Sequence, residues 1–199
     1  MRHEILLNFT PLETRVAVVE QGLLQEIHIE RAIQRGLVGN VYLGKVARVL
    51  PGMQACFVDI GLDRCAFLHA KDVPKSDAES NSPIQKLVTE GQDLMVQVIK
   101  DPLGSKGARL TAEVSLAARH LVLMPFASHV GVSQRIEDDH TRDYLKSIAT
   151  KALVSKALDC GVIVRTAGDG NTVEGFEDDL DYLKRVWDNI QAEKKTARS

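Results

Sequence analysis

Residues Gly39–His69, GNVYLGKVARVLPGMQACFVDIGLDRCAFLH, hold three closely spaced β-strand signals and two aromatic residues set against the apolar pattern. In Gln54–Ile60, Cys56, Val58 and Ile60 share one face, while Ala55, Phe57 and Asp59 share the other. The first face is apolar throughout. The second mixes a small residue, an aromatic ring and a carboxylate, which suits a surface. In Arg64–His69, Ala66 and Leu68 form the core face, so Phe67 points outward beside His69. Two outward phenyl rings on neighbouring strands make a platform for bases of a single strand, each stacked base worth roughly 1–3 kcal/mol. Alternation alone fits a second reading equally, in which both rings pack against another domain.

The bulk numbers narrow the function classes. A chain of 199 residues, 44% hydrophobic and 26% charged, suits one large or two small globular domains. No apolar run approaches the ~20 residues that span a bilayer, and MRHEILLNFTP is too short and polar for a signal peptide. The expected compartment is the cytoplasm, with no membrane partner. The net charge is −2, and Leu37–Glu113 carries as many basic as acidic residues. A broad basic field for duplex DNA is therefore excluded, and nucleic-acid affinity must come from stacking and a few placed cations. Cys56, Cys65 and Cys160 form no C-x-x-C pair, and the expectation is small buried thiols.

Outward from the opening stretch, Glu4–Asn8, Arg15–Glu20 and Leu23–Glu30 read as an antiparallel meander, with turns at Thr10-Pro11 and Gln21-Gly22. RAIQRGLVGN connects it to strands near Val41–Leu50, Gln54–Ile60, Arg64–Leu68, Asp93–Lys100 and Ala108–Glu113. A polar loop, KDVPKSDAESNSP, and a short helix around Ile84–Glu90 fall between the third and fourth of these. Five strands with that spacing suggest a five-stranded OB barrel. The remainder reads as α+β. Strands fall at His120–Met124, Val132–Ile136 and Gly161–Thr166. One helix from near Thr141 buries Leu145, Ile148, Ala152 and Leu153, and another from about Phe176 carries Leu180, Leu183, Val186 and Ile190 on one face.

Two further places could carry chemistry. Arg165 and Thr166, at a strand end before Ala167-Gly168-Asp169-Gly170, can hold a phosphate monoester through paired guanidinium bonds and a hydroxyl. Such a pair at a strand end is more often a solvated surface feature. Lys106, in the turn Asp101–Gly107, is solvated or lies beside the phenyl platform, depending on the barrel. The six histidines show no ligand spacing that would hold zinc. Asp178, Asp179 and Asp181 read as carboxylates at a helix start, favoured by its dipole. No Walker loop, G-x-S-x-G elbow or supported Cys/His dyad is present, so no catalytic residue is assigned.

The blocks NFTPLETRVAVVEQGLLQEIHIER, RGLVGNVYLGKVARVLPGMQACFVDIGLDRCAFLHA, GQDLMVQVIKDPLGSKGARLT, ASHVGVSQRIE, VIVRTAG and DLDYLKRVW together resemble the N-terminal part of the ribonuclease E/G family, closer to its G branch. The resemblance runs from Met1 to Ser199. It implies an α+β layout with three parts: residues 1–36 open an RNase H-like subdomain, 37–118 form an inserted S1-type OB domain, and 119–199 form a 5′-sensor. It implies that Phe57, Phe67 and Lys106 contact RNA, that Arg165 and Thr166 grip a 5′-terminal phosphate, and that Val122 neighbours that pocket. The implied partner is single-stranded RNA with a 5′-monophosphate, and the implied parent is a homo-oligomeric endoribonuclease of ribosomal RNA maturation and message decay. Ile60 stands where the E branch has an aromatic residue, Leu43 where a lysine is common, and Ala118 where the E branch has glycine.

In the family, hydrolysis is done by a later domain with two magnesium-binding aspartates, and a zinc link joins protomers. Neither has a counterpart in this sequence. The expectation is therefore a fragment that is inactive alone, binds neither Mg2+ nor Zn2+, and leaves its opening meander with an exposed edge or apolar face. A complete, non-catalytic OB-fold adaptor for RNA or a protein partner is the competing expectation.

Overall fold

The computed structural model describes residues 3–32, 36–74 and 82–197, which fall into two compact units. The expected loop KDVPKSDAESNSP lies in part, at residues 75–81, outside the described residues, as do residues 33–35 of the expected connector.

The first unit is the expected meander, with β1 (His3–Phe9), β2 (Glu13–Glu20) and β3 (Leu23–Arg31) in sheet order β1-β2-β3. Both residues of the Gln21-Gly22 turn have positive φ, +51° and +82°, the two-residue hairpin geometry that matches strand twist. The Glu13 carboxylate binds the Arg15 and Arg31 guanidiniums, which hold its pKa below the usual range. Register places Ile5, Leu7 and Phe9 on one face, and Leu6, Leu24, Ile27 and Ile29 on the other. All seven are more than half exposed. Apolar patches of this kind mark surfaces that meet something.

The second unit opens with a closed barrel of β4 (Val41–Leu50), β5 (Ala55–Asp59), β6 (Ala66–His69), β7 (Asp93–Lys100) and β8 (Arg109–Thr111), in the order β4-β5-β6-β8-β7. This is an OB-like arrangement. The expected helix between the third and fourth strands is a single turn, α1 (Ile84–Leu87), whose Ile84 side chain is fully buried. Val46, Val58, Leu68, Val96, Val98 and Leu110 fill the interior. Each contributes about 1.5–3 kcal/mol by leaving water. Ala55 is also buried, so alternation fails at the start of β5, where the strand leaves the Pro51–Met53 turn.

Gln97 is the buried polar side chain of the barrel. Its Nε2 donates to Gly39 O (3.0 Å) and Ser115 O (2.9 Å), and its Oε1 accepts from Ser115 N (2.9 Å). One amide thus ties the segment before β4 to the segment after β8, with its hydrogen-bonding capacity used.

The rest is a four-stranded sheet, ordered β11-β12-β10-β9, from β9 (Leu116–Ala117), β10 (Leu121–Met124), β11 (Val130–Val132) and β12 (Gly161–Val164). Only β11 and β12 run parallel. Helices α2 (Asp139–Ser155) and α3 (Val173–Thr196) share a core with this sheet in which Leu121, Val164, Leu145, Phe176, Leu180 and Leu183 are buried. The α2 residues expected to be buried are so, joined by Ala149. Val186 and Ile190 are half-buried, beside Val41, Tyr42 and Met95 of the barrel.

Several boundaries differ from expectation. The strand expected at Val132–Ile136 ends at Val132, because the chain turns there to meet Arg142. The guanidinium donates to Ser133 O and Ile136 O, each at 2.9 Å, and to Val132 O. Helix α2 starts before Thr141 because the Asp138 carboxylate caps it, accepting from Thr141 N at 2.7 Å. Helix α3 starts at Val173, capped by Thr172, so Asp178, Asp179 and Asp181 lie beyond its first turn rather than at its start. The cysteine expectation fails in part: Cys56 is buried, Cys65 is exposed and Cys160 is intermediate.

Candidate nucleic-acid interface

β5 and β6 pair so that Phe57 and Phe67 are direct partners, with ring centroids 6.2 Å apart and planes inclined by 70°. The bases of their strands, Cys56, Val58, Ala66 and Leu68, are buried on the opposite face. Phe57 is 36% exposed and Phe67 is half-buried. The rings meet edge to face, so a nucleobase has open ring surface above the pair and no slot between the two.

Register extends the row on both sides. Arg48 of β4 pairs with Phe57, and Arg109 of β8 pairs with Phe67. Arg109 is tied to the Asp72 carboxylate at 3.1 Å. Arg48 is exposed and meets no carboxylate within 4 Å among the described residues. Sequence reading missed Arg48, because strict alternation from buried Val46 turns it inward, and only the register shift between Val46 and Arg48 brings it out beside Phe57.

Lys106 is exposed at the end of a tight turn in which Leu103 and Lys106 exchange backbone bonds of 3.1 and 3.0 Å. Arg64, just before β6, donates to Gly104 O at 3.1 Å. A Cβ on Gly107 would lie 2.1 Å from Cys65 O, so only glycine permits the turn to run so close to the chain leading to Phe67. The turn that carries Lys106 therefore runs alongside the segment leading to Phe67, whose backbone N–H donates to Ala108 O at 2.8 Å.

Arg165 and Thr166 follow β12 and border a concavity of about 400 Å³, shared with Ser133, Arg135, Ile163 and Ala167. One Nη of Arg165 donates to Ala118 O, which orients the guanidinium while leaving donors open. The Arg165 backbone N–H donates to His120 O at 2.8 Å. Thr166 Oγ1 lies 3.4 Å from Ser133 Oγ. Val122 does not line this concavity. It borders a neighbouring hollow with Met124, Phe126, His129 and Ile163, and its cross-strand partner Ile163 separates the two.

The segment that Arg165 leans on is itself clamped. Asp179 Oδ2 on α3 accepts from His120 N at 2.7 Å and Leu121 N at 2.9 Å. This aspartate is a partly buried brace between α3 and β10, a role that its sequence neighbourhood hid. Ser133, Arg135 and Ile163 are the residues of this region that the sequence did not single out, while Asp179 reads there as a helix-start carboxylate. Ile163 alone had a visible signal, sharing a strand face with Arg165.

Among the described residues, no group of three or more His, Cys, Asp or Glu side chains could hold a metal ion. No described helix is long and apolar enough to cross a membrane. A profile of the ribonuclease E/G family matches residues 115–199. Ribonuclease G of Salmonella typhimurium is 53% identical over 98% of this chain and 41% of its own length. The chain belongs to the ribonuclease E/G family. Ribonuclease G of Haemophilus influenzae is 51% identical over 96% of the chain and 40% of its own length. Ribonuclease E of Escherichia coli is 36% identical over 98% of the chain and 19% of its own length. Similarity is thus greater to the G branch, and the chain spans about two fifths of the length of those ribonuclease G relatives. In family terms, it matches their N-terminal portion.

Proposed function

We propose that this chain is the RNA-holding, 5′-end-sensing part of a bacterial single-strand-specific endoribonuclease that matures ribosomal RNA and starts message decay. The observation that carries the reading is the Phe57–Phe67 pair, outward on an OB-like barrel and flanked by Arg48. In a chain of net charge −2, a stacking platform with a few cations favours unpaired bases over a duplex backbone. The S1-type barrel would hold the strand by stacking, with Lys106 on its backbone. Arg165 and Thr166 would take the terminal monophosphate through charge-assisted hydrogen bonds, with Val122 beside the first nucleotide.

Residues 1–36 would begin an RNase H-like subdomain, 37–118 the S1-type domain and 119–199 the sensor. Hydrolysis, with its magnesium, and the zinc link between protomers of a cytoplasmic homo-oligomer are assigned to the parent enzyme outside this chain. The ribonuclease names of the relatives favour this reading over a self-sufficient adaptor.

The test is a titration of the 199-residue chain with a labelled unstructured RNA and with the same RNA annealed to its complement. Tighter binding of the single strand, with loss on Phe57→Ala, supports the assignment. Equal or tighter binding of the duplex removes it.

A further inference from the structure

The concavity beside Arg165 has a second cationic wall. Arg135 and Ser133 line it together with Arg165 and Thr166. Its volume of about 400 Å³ falls within the range of pockets that enclose a whole small ligand. Both arginines are exposed, and neither meets a carboxylate within 4 Å among the described residues. Many other cations of this chain are spent on ion pairs, including Arg15, Arg31, Lys45, Arg109, Lys156 and Lys184.

The backbone that carries Arg135 is pinned on three sides. Val132 pairs with Val164 in the parallel ladder, and Ser133 N donates to Val164 O at 2.8 Å. Arg142 of α2 closes the turn by binding the carbonyls of Val132, Ser133 and Ile136. Within the turn, Arg135 N donates to Ser133 Oγ, which also faces Thr166 Oγ1. Two neighbouring hydroxyls and two arginines thus line one concavity on a braced frame.

We infer that Arg135, with Ser133, forms the second half of the terminal-phosphate site and makes it selective for a dianionic phosphate monoester over a monoanionic diester. The inference rests on the end-sensing reading above and adds the charge state of the group bound. A monoester carries about −1.5 to −2 charges at neutral pH and three acceptor oxygens. Arg165 already commits part of its guanidinium to Ala118 O, so it neutralises one charge and leaves the other to a second cation. A diester has one charge, which Arg165 can satisfy alone.

The experiment compares one short single-stranded RNA carrying a 5′-hydroxyl, a 5′-phosphate or a 5′-methylphosphate, the last being a monoanionic diester. Wild-type chain should bind the phosphate about tenfold more tightly than the methylphosphate, the size of one charge-assisted contact. Arg135→Gln should bring those two together while both still exceed the hydroxyl, and Arg135→Lys should restore part of the gap. A wild-type ratio retained by Arg135→Gln overturns the inference and leaves the end-sensing reading standing. A wild-type chain indifferent to phosphate against hydroxyl overturns both. Circular dichroism of each variant checks folding, and the ratio between ligands is insensitive to the fraction folded.

Discussion

Phe57 and Phe67 face each other across the β5–β6 ladder, with ring centroids 6.2 Å apart and planes at 70°. Their edge-to-face contact fixes both rings without burying them, so the platform is built before any base arrives. Phe57→Ala should weaken single-stranded RNA binding by roughly 1–3 kcal/mol. The far-ultraviolet circular dichroism and the unfolding midpoint should change little. A variant that fails to fold would instead make Phe57 a packing residue.

Arg48 stands beside Phe57 without an acidic partner among the described residues. If it meets the backbone of the strand, Arg48→Ala should make the slope of log affinity against log salt shallower by about 0.7, the single-strand value for one phosphate contact. An unchanged slope would place the RNA elsewhere on the barrel.

Gly104 and Gly107 lie in the same turn but should respond differently to alanine. At Gly107 the new Cβ meets Cys65 O at 2.1 Å, so the backbone must move, at a cost of about 1–3 kcal/mol or more. At Gly104, with φ +56°, the Cβ meets nothing within 4 Å, and the cost is the left-handed conformation alone, about 1–2 kcal/mol. Urea unfolding of the two variants gives the order. RNA affinity should fall with Gly107→Ala, since the Lys106 turn is displaced.

Much of this was legible beforehand. The barrel strands showed period-two alternation with β-branched cores, and α2 showed its buried stripe of Leu145, Ile148, Ala152 and Leu153. Arg165 and Thr166 stood out because a strand end and glycines framed them. Arg135 and Ser133 did not, because their position depends on a parallel pairing between β11 and β12 and on Arg142 reaching back from α2. Neither contact leaves a local pattern. Asp179 was misread for the same reason: its partners, His120 and Leu121, lie nearly sixty residues away.

The helix caps give a pH dependence of defined sign. Hydrogen bonding from the Thr141 side chain, and then from its backbone N–H, holds the Asp138 carboxyl below its usual range. A depressed folded-state pKa contributes stability above the unfolded value, about 3.9, and loses it as the pH falls through the folded value. Asp138→Asn, which can still cap but does not titrate, should therefore lose less stability than the wild type between about pH 6 and pH 3. Equal losses in paired urea titrations would contradict the assignment.

The thiols should separate by exposure. Burial pushes the Cys56 thiol up to about 11, while Cys65 is exposed. An aromatic disulfide reagent near pH 8 should titrate Cys65 first and Cys56 only on unfolding. Rapid modification of Cys56 in the native chain would mean that the barrel opens.

The account stands most directly on affinity for an RNA end. One unstructured RNA, with a 5′-monophosphate or a 5′-hydroxyl, should be titrated into the wild-type chain and into Arg165→Ala at matched salt. The phosphate form should bind more tightly to the wild type, and the two forms should converge on Arg165→Ala while residual binding to the barrel remains. Equal affinities of the wild-type chain for the two ends would contradict it.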